Sequence, residues 1–200
     1  LKPGDTVLVD EPSWFLMFGR FALLGARVIG VPRLPDGPDI ERLRALAAEH
    51  RPKLFITVSV LHNPTSTSTS SAKAFQLLRL AEEFDFTLVE DDIYCDLHPG
   101  PAVQPCEPGL ARQLTDLKML VGLTSPEFGE RIVYRVLSEG YYRRHLDRLR
   151  ERLAAAHEPM LRMLERLGLR PFATPGVGMF VWADAGVDTN PVAQAMLDRG

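Results

Sequence analysis

Three short stretches carry the side chains best suited to holding a small molecule: Glu11-Pro-Ser-Trp14, His62-Asn-Pro-Thr65 and Glu90-Asp-Asp-Ile-Tyr94. Between them they offer carboxylates for charge pairing, an amide and a phenol for hydrogen bonding, and an indole face for stacking. Taken singly, each has a plain structural account. Trp14 alone reads as a core or interface aromatic, Asn63-Pro64 as a turn dipeptide, and Asp91 and Asp92 as helix caps or solvated acids. Their placement gives them weight, because each follows a run of strand-forming residues.

Those runs lie over residues 6–9, 27–31, 54–60 and 86–89, rich in β-branched and aromatic residues and bounded by Gly, Pro and Asp. The run over 54–60 has only Thr57 and Ser59 as polar interruptions, which predicts a strand buried on both faces. Helical patterns alternate with the strands over 15–24, 40–50 and 72–84. Gly25 stops the first, Asp39 caps the second, and a Ser/Thr-rich loop precedes the third. Strand and helix in strict alternation predict right-handed βαβ units and an α/β core with a parallel sheet. In such sheets ligands bind beyond the carboxyl ends of the strands, so the three stretches should line one site.

The second half changes character. Helices are predicted over 110–120, 126–137 and 190–199. A long amphipathic helix is predicted over 141–167, with Pro159 kinking it. Gly176-Val-Gly-Met-Phe-Val-Trp-Ala183 reads as a turn into a strand. A boundary is placed in the Pro/Gly-rich stretch over 98–109, which divides the chain into a large α/β part, 1–105, and a second part, 106–200.

Composition narrows the classes. The 200 residues are 46% hydrophobic and 24% charged, a globular balance that excludes disordered and fibrous chains. A net charge of −3 argues against a nucleic-acid surface. Cys95 and Cys106 form no CxxC pair, which points to a reducing, cytoplasmic setting. No run approaches the ~20 apolar residues of a membrane span. The five histidines lack ligand spacing, so no metal site is expected. Arg143, Arg144, Arg148, Arg150 and Arg152, interspersed with acids, read as a solvated helix face.

In this order the three stretches resemble the cofactor site of fold type I pyridoxal 5′-phosphate (PLP) enzymes, the aspartate aminotransferase family. The likeness extends to Pro3-Gly-Asp-Thr-Val7, Gly25-Ala-Arg-Val28 and Gly178-Met-Phe-Val-Trp182. Val89-Glu-Asp-Asp-Ile-Tyr94 and Tyr142-Arg-Arg-His-Leu146 are most similar to the aminotransferase-like domains of GntR/MocR-type regulators. The resemblance implies a PLP-dependent transferase fold, with a mainly parallel sheet flanked by helices and a smaller α+β C-terminal domain. It also implies roles. Asp91 would hold the protonated pyridine nitrogen, Asn63 and Tyr94 would donate to the ring's phenolate oxygen, and Trp14 would stack on the ring face.

The function so implied is amino-group transfer between an amino acid and a 2-oxo acid. The alternative is a PLP-binding effector domain of a GntR/MocR-family transcriptional regulator, reaching DNA only through a separate N-terminal domain. A homodimer is implied as well. One defining residue has no match, the Schiff-base lysine of a Ser-x-x-Lys segment beyond Asp-x-x-Tyr. The chain has Lys2, Lys53, Lys73 and Lys118 only. Ser70-Ser-Ala-Lys73 has the letters but precedes Asp91 and reads as a solvated helix start, and Lys118 reads as a surface residue. The expectation is that these residues are parts of a longer polypeptide.

Overall fold

A computed structural model describes residues 1–100, 126–174 and 176–199. Five strands form one sheet in the order β3-β2-β1-β4-β5. They are β1 (Thr6–Glu11), β2 (Arg27–Leu34), β3 (Gly37–Pro38), β4 (Leu54–Thr57) and β5 (Thr87–Glu90). β1 pairs in parallel with β2 and β4, and β4 with β5, as the alternation of elements predicts. β3 is a two-residue antiparallel edge piece that the sequence reading did not include. Its proline removes a ladder donor, which is tolerated at an edge.

Neighbouring residues of one strand serve opposite faces. Leu8 and Phe55 face helices α2 (Ile40–His50) and α3 (Ser71–Phe84), packing with Leu43, Leu46, Leu77 and Leu80. Val7, Val9 and Ile56 face α1 (Phe15–Leu23) and pack against its Met17, Phe18 and Phe21. Both faces of the sheet are therefore covered, which is why its strands read as nearly continuous apolar runs. Asp39 caps α2 by accepting from the Arg42 amide at 3.0 Å. Ser70 caps α3, and Lys73 in its first turn reaches Asp36 at 2.7 Å, so the Ser70–Lys73 letters serve a helix start.

Two strand expectations are corrected. β4 ends at Thr57 rather than at residue 60, because the Val58 amide is taken by the Asp10 carboxylate at 3.2 Å. The Ser59 carbonyl is taken by the Thr69 amide. The strand expected within 178–182 appears instead as β7 (Ala183–Asp184), antiparallel to β6 (Arg170–Pro171). Residues 178–180 are bonded to other side chains, as described below.

The C-terminal half supplies α4 (Glu127–Ser138), α5 (Tyr141–Arg166) and α6 (Asn190–Leu197). α5 continues through Pro159 as one helix. The helix expected over 110–120, Cys106, Lys118 and most of the proposed boundary lie outside the described residues. Among the described residues no helix is long and apolar enough to cross a membrane.

Candidate active site

The carboxyl ends of β1, β4 and β5 are adjacent, and each continues directly into one of the three stretches. The Asp91 amide donates to the Thr57 carbonyl at 2.9 Å, which extends the β4–β5 ladder by one step and holds Asp91 against the end of β4. Its Oδ1 accepts from the Ile93 amide at 3.3 Å, closing a turn that leads into a 3-10 segment, Cys95–Leu97. Tyr94 opens that segment, half-buried, with its ring edge-on to Phe180 at 5.5 Å between centroids.

Trp14 occupies the N-cap of α1 and is half-buried. The Arg20 guanidinium lies 5.8 Å from its ring centroid. Asn63 sits in a tight turn closed by the His62 amide on the Thr67 carbonyl at 2.8 Å and by the Ser66 amide on the His62 carbonyl at 2.6 Å. Trp14, Asn63, Asp91 and Tyr94 therefore share one edge of the sheet. β1 and β5 flank β4, so the Trp14 and Asp91 loops start about 10 Å apart, two strand spacings. No hydrogen bond joins these four side chains among the described residues.

Beneath this edge lies a polar network that sequence reasoning missed. Asp10 and Arg33, at the ends of β1 and β2, pair at 3.0 Å with both side chains closed to water. The Asp10 carboxylate also accepts from the Thr57 hydroxyl at 2.7 Å. Arg33 Nε donates to Thr67 Oγ1 at 3.1 Å, which ties the pair to the Asn63 turn. Burial pushes the Asp10 carboxyl up and the Arg33 guanidinium down, each opposed by the other's charge.

His62, at the start of the second stretch, is packed inside. It is fully buried, with Nδ1 at 2.9 Å from Thr65 Oγ1. Burial first, and the Arg33 charge second, push its pKa down to about 2, so the imidazole is neutral. Glu90 behaves oppositely. Burial raises it to about 7 and the nearby Asp92 adds to the rise, while the Ser59 hydroxyl that bonds it works against both.

Of the lysines, Lys2 precedes β1 and Lys53 precedes β4, so both lie at the opposite, amino edge of the sheet. Lys73 is engaged with Asp36. None of these three stands beside Asp91. The arginine row on α5 also needs one correction. Arg150 is half-buried and donates twice to the Asp96 carbonyl, at 3.1 and 2.7 Å, while Tyr142 donates to the Asp96 carboxylate at 2.5 Å. α5 thereby grips the turn that carries Tyr94.

A mainly parallel sheet covered on both faces by helices, with the three stretches at its carboxyl edge, defines an α/β protein. Residues 1–122 match the family model described as aminotransferase class I and II, and the chain belongs to that family. Aromatic-amino-acid aminotransferase 1 of Thermococcus litoralis is 24% identical over 241 positions, covering all of this chain and 58% of the relative. Those positions exceed the 200 residues of the chain by 41, so the relative carries residues inside the matched span that this chain lacks.

The HTH-type transcriptional regulator YdfD of Bacillus subtilis, itself uncharacterised, is 26% identical over 91% of this chain and 45% of its own. The structure of the α-aminoadipate aminotransferase LysN of Thermus thermophilus, complexed with N-(5′-phosphopyridoxyl)-L-leucine, superposes with a TM-score of 0.84. It is 25% identical and covers 99% of this chain and 60% of that one. The chain thus spans about half the length of the relatives it matches.

Proposed function

We propose that this chain forms the ring-binding part of a PLP-dependent aminotransferase that moves an amino group between an amino acid and a 2-oxo acid. One observation carries the reading. Asp91 is bonded to the end of β4 on the edge that also bears Trp14 and Asn63. A half-buried carboxylate carried by a backbone fixed there suits a pyridine nitrogen.

Bound PLP supplies an electron sink for bond breaking at an amino-acid α-carbon. The residues of this chain do the rest of the work at the ring. Asp91 holds a proton on the ring nitrogen. The Asn63 amide and the Tyr94 hydroxyl donate to the ring oxygen, and Trp14 covers one face and keeps water from it. The three lysines described do not supply the Schiff-base amine, so that group comes from outside the described residues. The division into 1–105 and 106–200 is proposed on the same footing. So are a cytoplasmic location and a homodimer, the latter supported by apolar Phe15 and Leu23 standing exposed at the two ends of α1.

The resemblance to the regulator YdfD over 91% of the chain favours a second reading, an effector domain that binds PLP without turnover. One experiment separates the two. PLP is titrated into wild type and Asp91→Ala, followed by an amino-acid panel and then by borohydride reduction with peptide mapping. Both readings expect tight binding in wild type and at least tenfold weaker binding in the variant. Turnover selects the enzyme, and binding without turnover selects the effector domain. Equal PLP affinity in wild type and variant overturns both, and a pyridoxyl group on Lys2, Lys53 or Lys73 overturns the assignment of the lysines.

A further inference from the structure

The turns that carry Asn63 and Tyr94 both touch the short segment 178–180, through different side chains. Ser66 Oγ donates to the Phe180 carbonyl at 2.8 Å and accepts from the Phe180 amide at 3.0 Å. The Phe180 ring then meets Tyr94 edge-on, with 77° between the planes. Gly178 passes under Ser66 only because it lacks a side chain. A Cβ there would stand 2.6 Å from Ser66 Oγ, and its φ is +105°. From the far side, buried His157 of α5 bonds the Gly178 carbonyl through Nε2 at 3.0 Å.

Ser66 itself has φ +53°, the left-handed region that residues with a side chain avoid. Its surroundings hold it there. Its amide is bonded to the His62 carbonyl, and its hydroxyl is bonded to both the amide and the carbonyl of Phe180. A residue kept in a costly conformation by several bonds, three positions from Asn63, marks a place where position matters more than local stability. Phe180 extends the same constraint to Tyr94, whose turn α5 already grips at Asp96.

We propose that Ser66 and Phe180 are positioning residues of the ring site. The Ser66 clasp fixes segment 178–180 against the Asn63 turn, and Phe180 sets the orientation of Tyr94. Two donors on the turns that follow different strands are thereby held in place through a third segment from the C-terminal half. This rests on the reading of Asn63 and Tyr94 as joint donors to one ring oxygen.

The test uses the whole chain and two variants. Ser66→Gly tolerates the left-handed backbone of the turn and removes the hydroxymethyl group with both of its bonds to Phe180, while Phe180→Leu keeps apolar bulk and removes the ring. Amide hydrogen exchange is followed without cofactor at 62–67, 92–97 and 178–182, and PLP affinity is titrated separately. Ser66→Gly is expected to speed exchange about tenfold at both 92–97 and 178–182, with global unfolding little changed, and to weaken PLP binding about five- to tenfold. Phe180→Leu is expected to loosen 92–97 and leave 62–67 as in wild type. Exchange altered only within 62–67, or PLP affinity unchanged in Ser66→Gly, makes the clasp a local staple and overturns the proposal. Should wild type itself fail to bind PLP while the exchange coupling appears, the ring reading falls and the coupling of the two turns is supported.

Discussion

Asp10 and Arg33, on neighbouring strands, meet at 3.0 Å inside the molecule, and Arg33 also bonds Thr67 of the Asn63 turn. The pair therefore does two jobs. It ends the ladder at Thr57 by taking the Val58 amide, and it anchors the loop that the broken ladder releases. Removing one partner strands a buried charge, which costs about 3–5 kcal/mol. Arg33→Met should lower the unfolding free energy by that much in a urea titration. Asp10→Leu combined with Arg33→Met should recover most of the loss, because no charge is left unpaired. A single variant as stable as wild type would show that the pair is not closed to water.

Glu90 predicts a loss of stability with rising pH. Its carboxyl holds a proton more tightly folded, up to about 7, than at its ordinary 4.5. Folding is therefore favoured where Glu90 is protonated. The contribution is full below pH 4.5 and is lost as pH rises to about 7. Glu90→Gln should match wild type near pH 4.5 and exceed it in thermal stability at about pH 8. Parallel stability curves across that range would remove the buried carboxyl from the account.

His62 predicts the opposite slope. Its folded pKa of about 2 lies below the ordinary 6.5, so the folded state refuses a proton that the unfolded chain accepts. Stability is full above pH 6.5 and falls steadily below it. Between 4.5 and 6.5 the two groups oppose each other and nearly cancel, because each changes the number of bound protons by at most one, so the loss due to His62 shows undiluted only below pH 4.5, where Glu90 is protonated in both states. His62→Gln should lower stability at neutral pH, by about 1–3 kcal/mol for the disturbed buried polar contacts. Relative to wild type it should also tilt stability upward toward acid in urea unfolding at about pH 5, 6 and 7.

Trp14 is expected to act on binding alone. It caps α1 without a side-chain hydrogen bond and is only half-buried, so Trp14→Ala should change unfolding little. Ring stacking is worth about 0.5–1.5 kcal/mol, so PLP affinity should drop roughly 2- to 12-fold. Retained affinity would take the indole off the ring face.

Phe55 is expected to act on stability alone. It is fully buried between the sheet and helices α2 and α3, so Phe55→Ala should cost about 3–5 kcal/mol in denaturant unfolding. A cost below about 1 kcal/mol would place the core elsewhere.

The strands with long apolar runs, the capped helices and the parallel order were legible because hydrophobic period and cap chemistry are local properties. β1, β2, α2 and α3 lie where their residues predict. The end of β4 was not legible, since Val58 and Val60 are as apolar as a strand requires. What stops the ladder is a carboxylate from β1, far away in sequence. Arg150 was misread for a similar reason. On its own helix it is one more charged residue, and only the packing of α5 against the Tyr94 turn gives it a carbonyl to bond.

By itself the chain's order of residues determined an α/β core and the three loops that face its carboxyl edge, because local patterns set the elements and strand direction sets the edge. Tertiary structure alone decided the buried network of Asp10, Arg33, Thr57 and Thr67, the shifted β7, and the contact of Ser66 and Phe180 with each other and of Phe180 with Tyr94. Each of these joins side chains that are remote in sequence. Their energies come from burial and from bonds that exist only once the sheet has brought its ends together.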